Sequence, residues 1–232
     1  MPKSIPANPS PIELLSKFPV DDRKALMELG ARRNFGKGEF VFQAGNEARS
    51  VFLLLSGRIK IYQPSSVGKE AILWFCFDGE LFGLAEAARG GKRVVSAQTC
   101  ENSEVLSIAQ DKFMSFIGTH PMTAQIVVQL LAGRLRILSD VVINLISDDV
   151  RTRILKVLLH LGARCGNRRQ SGIQLGMVLT HQEIADMIGS TRQTVTTTLG
   201  QLEREGLLSI DEHRILLTGD TWSHQLSLPP LA

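Results

Sequence analysis

From Phe35 to about Ala109 the chain alternates short apolar, β-prone runs with turn signals. The runs are FVF (40–42), VFLLL (51–55), IKIY (59–62), AILWFCF (71–77), RVVSAQT (93–99) and EVLSI (104–108). Between them stand Gly36 and Gly38, Gly45-Asn46, Ser56-Gly57, Gly68, Asp78-Gly79 and Gly90-Gly91. Strands about every ten residues, parted by glycine turns, predict an antiparallel sandwich or roll. Ahead of it, residues 21–30 (DDRKALMELG) read as a helix, with Asp21 or Asp22 as its cap and Gly30 as its stop. Residues 1–11, rich in Pro, Ser and Asn, read as a flexible lead.

After Pro121 the period changes. No proline follows before residue 229, and Gly133 alone interrupts residues 122–147. Ala124, Val128, Leu131, Leu135, Leu138, Val142 and Leu145 recur at spacings of 4, 3, 4, 3, 4 and 3. That is a heptad seam, the pattern by which two helices pair. A helix packed on its own domain would show a stripe too. Apolar residues off the seam (Ile126, Val127, Leu130, Ile137, Val141) favour the dimer, because a second stripe can cover the roll while the first meets a partner. Three parts follow: a β-roll domain over residues 1–118, a central dimerisation helix over 119–147 and a second domain over 148–232.

Asp149 caps a helix over residues 150–163, and residues 173–178 read as a strand. Thr180-His181-Gln182-Glu183 then has the form of a capping box, with Thr180 and Glu183 exchanging hydrogen bonds. A short helix follows, Gly189 breaks it, and Ser190 caps a second helix over 191–205 that Gly206 ends. Two short helices about a tight glycine turn make a helix-turn-helix. In the second helix Val195, Leu199 and Leu202 share the core face. Opposite lie Gln193, Thr197, Gly200 and Arg204, beside Arg192 and the Thr196–Thr198 run. A slim face of hydroxyls with Arg and Gln suits the major groove, where Arg pairs with guanine and Gln with adenine. Thr180, His181, Ser190 and Thr191 stand at helix starts that suit phosphates. The candidate DNA contacts are therefore Thr180, His181, Ser190, Thr191, Arg192, Gln193, Thr196 and Thr197. Residues 207–217 read as a hairpin wing, with Asp211, Glu212 and His213 at its tip.

Bulk properties narrow this little. The formal net charge is +3. Residues 150–232 carry nine Lys/Arg against seven Asp/Glu, a net of +2, so a DNA reading rests on placement and not on overall charge. Cys76, Cys100 and Cys165 are too few and scattered for a disulfide framework, and no C-x-x-C pair suggests zinc or an iron–sulfur site. No apolar stretch is long enough for a membrane span, and the first residues, MPKSIPANPSP, lack the apolar core of a secretory signal, so the cytoplasm is expected. No phosphate loop, catalytic triad spacing or metal-ligand motif points to an enzyme. His181 beside Glu183 is the nearest acid–base pair and is better read as part of a cap. The fold class is α+β: an antiparallel β-roll, a long helix and a winged helix-turn-helix. A non-DNA module with a protein-interaction tail is the competing reading.

Residues 37–62 (KGEFVFQAGNEARSVFLLLSGRIKIY) and 189–208 (GSTRQTVTTTLGQLEREGLL) resemble the cyclic-AMP receptor protein/FNR family of bacterial regulators. The likeness runs from about residue 18 to 218. It implies a cyclic-nucleotide-binding-like roll that senses an effector, a dimer seam along Val128, Leu131, Leu135, Leu138, Val142 and Leu145, and DNA reading by the winged helix-turn-helix. It further implies a two-fold-symmetric operator, with RNA polymerase as partner of an activator. By position Arg192 would read a guanine. Gln193 stands where the receptor protein has Glu and Thr197 where it has a second Arg, so a different half-site is expected.

The same resemblance places an effector pocket at Gly83, Leu84, Glu86, Arg93, Val94, Val95, Leu138 and Ser139. Cyclic-nucleotide members keep a Gly-Glu-Leu and then an Arg-Ser pair that binds the cyclic phosphate. Here the stretch from Phe82 to Val94 is about three residues shorter and has no Arg-Ser, Arg93 reads as a solvated surface charge, and Leu138-Ser139 replace a Thr-Ser pair. Cyclic AMP is therefore disfavoured. So is an iron–sulfur cluster, since no cysteine precedes Cys76, and so is haem, since no histidine precedes His120, which with Cys76 would have to serve as ligand. An unidentified small molecule or no ligand at all is expected, and no membrane partner.

Overall fold

The computed structural model describes residues 13–65, 70–212 and 214–218. The flexible lead expected for residues 1–11, the turn at Gly68 and His213 of the wing tip lie outside the described residues. The chain divides into two units after Asp140.

In the first unit two helices, α1 (Glu13–Lys17) and α2 (Val20–Glu28), precede the strands β1 (Gly30–Phe35), β2 (Phe40–Phe42), β3 (Ser50–Ser56), β4 (Ile59–Pro64), β5 (Glu70–Cys76) and β6 (Leu81–Phe82). A short helix α3 (Ala85–Arg89) leads to β7 (Ser96–Thr99) and β8 (Ser103–Ala109), then to α4 (Gln110–Thr119) and the 27-residue α5 (Pro121–Ser147), which belongs to this unit as far as Asp140. Two four-stranded sheets, ordered β1-β8-β3-β6 and β2-β7-β4-β5, are antiparallel throughout. They form the expected roll.

The β3 run VFLLL does not alternate because both of its faces are covered. Val51 and Leu53 pack with Leu26, Leu106, Ile108, Phe113, Phe116, Ile126 and Val127 beneath the helices. Phe52 and Leu54 pack with Phe42, Ile59, Ile61, Cys76, Phe82 and Val105 inside the roll. There Phe42, Phe52 and Phe82 stack with centroids 5.2–6.2 Å apart.

Several local expectations are corrected. Gly30 does not stop a helix; it opens β1, where a side chain would collide with the Ser107 carbonyl. Neither Asp21 nor Asp22 caps α2, which starts after an extended Pro19, and the Asp22 carboxylate instead accepts from the Thr123 hydroxyl of α5. Only Ser96–Thr99 of the expected strand over 93–99 is strand. Helices α3 and α4 were not expected.

Along α5 the two stripes separate. Ile126 and Val127 are buried and Leu130 packs against the same core. Of the seam, Val128, Leu131, Leu135, Val142 and Leu145 are exposed and Leu138 is half-buried.

The second unit comprises α6 (Val150–Cys165), β9 (Gly166–Arg169), β10 (Gly172–Leu175), α7 (His181–Ile188), α8 (Arg192–Arg204), β11 (Leu208–Asp211) and β12 (Arg214–Thr218), with sheet order β11-β12-β10-β9. Asp149 caps α6 by accepting from the Thr152 amide at 2.8 Å, a bond that holds its carboxyl below the usual carboxylate range. Strand β9, Gly-Asn-Arg-Arg, was not expected, since it lacks the branched and aromatic residues that mark strands.

Candidate nucleic-acid interface

Helix α7 begins with a complete capping box. The Thr180 hydroxyl accepts from the Glu183 amide at 3.1 Å, and the Glu183 carboxylate accepts from the Thr180 amide at 2.8 Å. The helix ends at Gly189, whose φ of 64° and ψ of 45° lie in the left-handed region that favours glycine. The Ser190 amide donates to the Ala185 carbonyl, and the Arg153 guanidinium of α6 donates to the Ile188 carbonyl at 2.8 Å. The turn between the helices is thus bonded from both sides.

The cap of α8 is Thr191, not Ser190. Its hydroxyl accepts from the Thr194 amide at 3.1 Å, while Ser190 is half-buried. Val195, Leu199 and Leu202 are buried, as expected. Thr198, expected on the outer face, is also buried and donates its hydroxyl proton to the Thr194 carbonyl. The face left in solvent carries Arg192, Gln193, Thr196 and Thr197, with Thr180 exposed and His181 half-buried on α7.

Three ties fix this face. The His181 ring meets the Thr196 hydroxyl at 2.8 Å. Arg151 and Glu205 form a bidentate ion pair at 3.0 and 2.6 Å between α6 and the end of α8, which lowers the Glu205 carboxyl and raises the Arg151 guanidinium. The Ile210 amide of β11 donates to the Glu203 carboxylate at 3.0 Å, holding the wing to α8. Sequence reasoning missed Arg151, Arg153, Glu203 and Glu205; a charged residue that ties helices together looks like any solvated charge until the fold is known.

The residues expected to line an effector pocket are dispersed. Of them, Gly83, Glu86, Arg93 and Val94 come together, and Arg93 is not a solvated charge: it is 3% exposed. Its guanidinium donates from Nη1 to the Gly83 carbonyl at 2.9 Å and to Glu86 Oε2 at 3.2 Å, and from Nη2 to the Ser50 carbonyl. It lies 4.3 Å from the Phe42 ring centroid. Burial lowers its pKa, opposed by Glu86. Leu84 belongs to the core beneath the helices and Val95 flanks the roll interior. On α5, Leu138 is half-buried, and the exposed Ser139 donates its hydroxyl proton to the Leu135 carbonyl.

Residues 32–120 match the family of the cyclic nucleotide-binding domain, and residues 152–218 match the Crp-like helix-turn-helix domain. The chain belongs to the CRP/FNR family. Among CRP/FNR proteins it is 28% identical over 185 residues to the CRP-like cAMP-activated global transcriptional regulator of Mycobacterium tuberculosis, covering 80% of this chain and 83% of that protein. It is 27% identical to the fumarate and nitrate reduction regulatory protein of Escherichia coli, covering 92% and 84%. The fold matches that of the c-di-GMP responsive global regulator CLP of Xanthomonas campestris with a TM-score of 0.76, at 22% identity over 87% of this chain and 100% of that one. As a CRP/FNR regulator the protein is a DNA-binding transcription regulator and not an enzyme. The inputs these names declare differ, so membership of the family does not name the effector.

A cyclic nucleotide does not fit the Arg93 region. Three of the five guanidinium N–H groups already donate within the chain, and the Glu86 carboxylate takes one of the Nη1 donors that a phosphate would need, so a cyclic phosphate would have to displace bonds already made. The two candidate haem ligands are not brought together. Cys76 is fully buried in the roll interior, whereas His120 lines a cavity of about 580 Å³ between α2 and α4, its ring stacked on Phe116. Among the described residues no cluster of His, Cys, Asp and Glu forms a metal site, and no helix is long and apolar enough to cross a membrane.

Proposed function

We propose that the protein binds a two-fold-symmetric DNA operator as a homodimer, with α8 in the major groove. The observation that carries this is the division of α8. Its apolar face is buried, while Arg192, Gln193, Thr196 and Thr197 are left together in solvent. Arg192 reads guanine and Gln193 adenine, and Thr197 leaves room for close approach. Thr180, His181, Ser190 and Thr191 position the phosphate backbone.

The exposed seam of Val128, Leu131, Leu135, Val142 and Leu145, with Leu138 beside it, supports pairing with a second copy. Large exposed apolar side chains at heptad spacing need a partner. Half-sites about one turn apart, roughly 34 Å, follow from the two-fold axis. In this reading RNA polymerase is the other macromolecular partner, the compartment is the cytoplasm, and the roll is the input half that tunes DNA binding.

Selection from a randomised duplex pool, followed by anisotropy titration, tests this. A symmetric consensus bound by a dimer is expected. A monomer that ignores every duplex would overturn it.

A further inference from the structure

The roll holds a buried cation whose counter-ion comes from its own chain. Glu86 of α3 engages two donors from consecutive residues: Oε2 accepts from Arg93 Nη1 at 3.2 Å, and Oε1 accepts from the Val94 amide at 3.3 Å. A guanidinium N–H beside a backbone N–H is a donor set that suits an oxyanion, and here a carboxylate of the protein takes both. The side chains of Arg93 and Glu86 are 1% and 11% exposed, so the pair is desolvated and each charge depends on the other. The close approach is built in. Gly83 has a φ of +72°, and a Cβ there would sit 3.0 Å from Arg93 Nη1. Beyond α3, Gly90 and Gly91 have φ of +73° and +97° with open space about them.

We propose that Glu86 is an internal anion that completes the Arg93 cradle, so that the roll needs no cyclic nucleotide or other phosphate ester to fill it. The regulator then takes its DNA-binding form without such a ligand. Only that last clause rests on the DNA reading above.

The test uses the full chain, Glu86→Gln and the double variant Glu86→Gln/Arg93→Gln. Glu86→Gln keeps the shape and removes the charge, leaving Arg93 buried without an anion. Melting is followed against inorganic phosphate at constant ionic strength, and cyclic AMP is titrated calorimetrically. The unaltered protein is expected to give no heat with cyclic AMP. Glu86→Gln is expected to melt lower and to be restored saturably by phosphate, binding it roughly tenfold tighter than the unaltered protein. The double variant should lose that response, which separates it from the general stabilisation that phosphate gives any protein. Saturable cyclic AMP binding by the unaltered protein overturns the proposal. So does a phosphate response in Glu86→Gln that is no stronger than normal, or that survives in the double variant. Should Glu86→Gln fail to fold, the cyclic AMP titration of the unaltered protein decides.

A final arm compares operator affinity with and without cyclic AMP. Equal affinity is expected, and a cyclic-AMP-dependent gain overturns ligand independence. Absence of any DNA binding, with the melting results intact, would instead sink the DNA reading and leave the internal anion standing.

Discussion

His181 Nδ1 of α7 and Thr196 Oγ1 of α8 lie 2.8 Å apart. Thr196 donates its one hydroxyl proton to the Arg192 carbonyl at 2.9 Å, so in this contact it accepts and the histidine donates. The bond ties the capped start of α7 to the solvent-exposed side of α8. Replacing His181 with Ala is expected to weaken operator binding about fivefold, the worth of roughly 1 kcal/mol for such a bond, with little change in melting. Anisotropy on the selected operator measures it, and an unmoved dissociation constant would remove the contact from the recognition machinery.

Arg192 stands exposed in the first turn of α8. Arg192→Ala should cost roughly 1–3 kcal/mol on the matched operator and relax one base position per half-site. Binding to a panel of single-base operator variants reports both. A uniform loss across the panel would make it a phosphate contact instead.

Leu135 is 67% exposed in the protomer, midway along α5. Leu135→Asp is expected to shift the protein to monomer in sedimentation and to abolish tight operator binding, while each protomer keeps its circular dichroism, because the substituted side chain is not part of the protomer core. A dimer of unchanged affinity would show that the seam is not the interface.

His160 on α6 has its pKa pushed down to about 4, first by burial and then by Arg164 one turn on. The unfolded chain takes up this proton from about pH 6.5 downward and the folded chain only near 4, so the second unit loses stability as pH falls through that window. At about 1.4 kcal/mol per pKa unit, discounted for the residue's partial exposure, roughly 2 kcal/mol is at stake. His160→Gln should flatten the dependence of unfolding midpoint on pH between these values. A slope equal to that of the unaltered protein would mean the ring is solvated.

Much of the architecture was legible because it is periodic. The glycine-parted runs marked the roll, the 3-4 spacing marked α5, and Thr180, Glu183 and Gly189 marked the helix-turn-helix. What stayed hidden depends on contacts between distant segments. Arg93 reads as a surface charge until Ser50, Gly83 and Glu86 fold around it, and Asp22 reads as a cap until Thr123 arrives from α5. Thr191 and Ser190 are equally good caps by chemistry, and only the folded backbone, which brings the Thr194 amide to the Thr191 hydroxyl, decides between them.

Strand β3 is the wall common to both cores of the first unit. Neither side can loosen without stripping contacts from the other, so the two should open as one cooperative block. Its central amides, flanked by β8 and β6, are accordingly expected among the slowest to exchange with deuterated solvent, keeping their protons long after those of the edge strand β1 have gone.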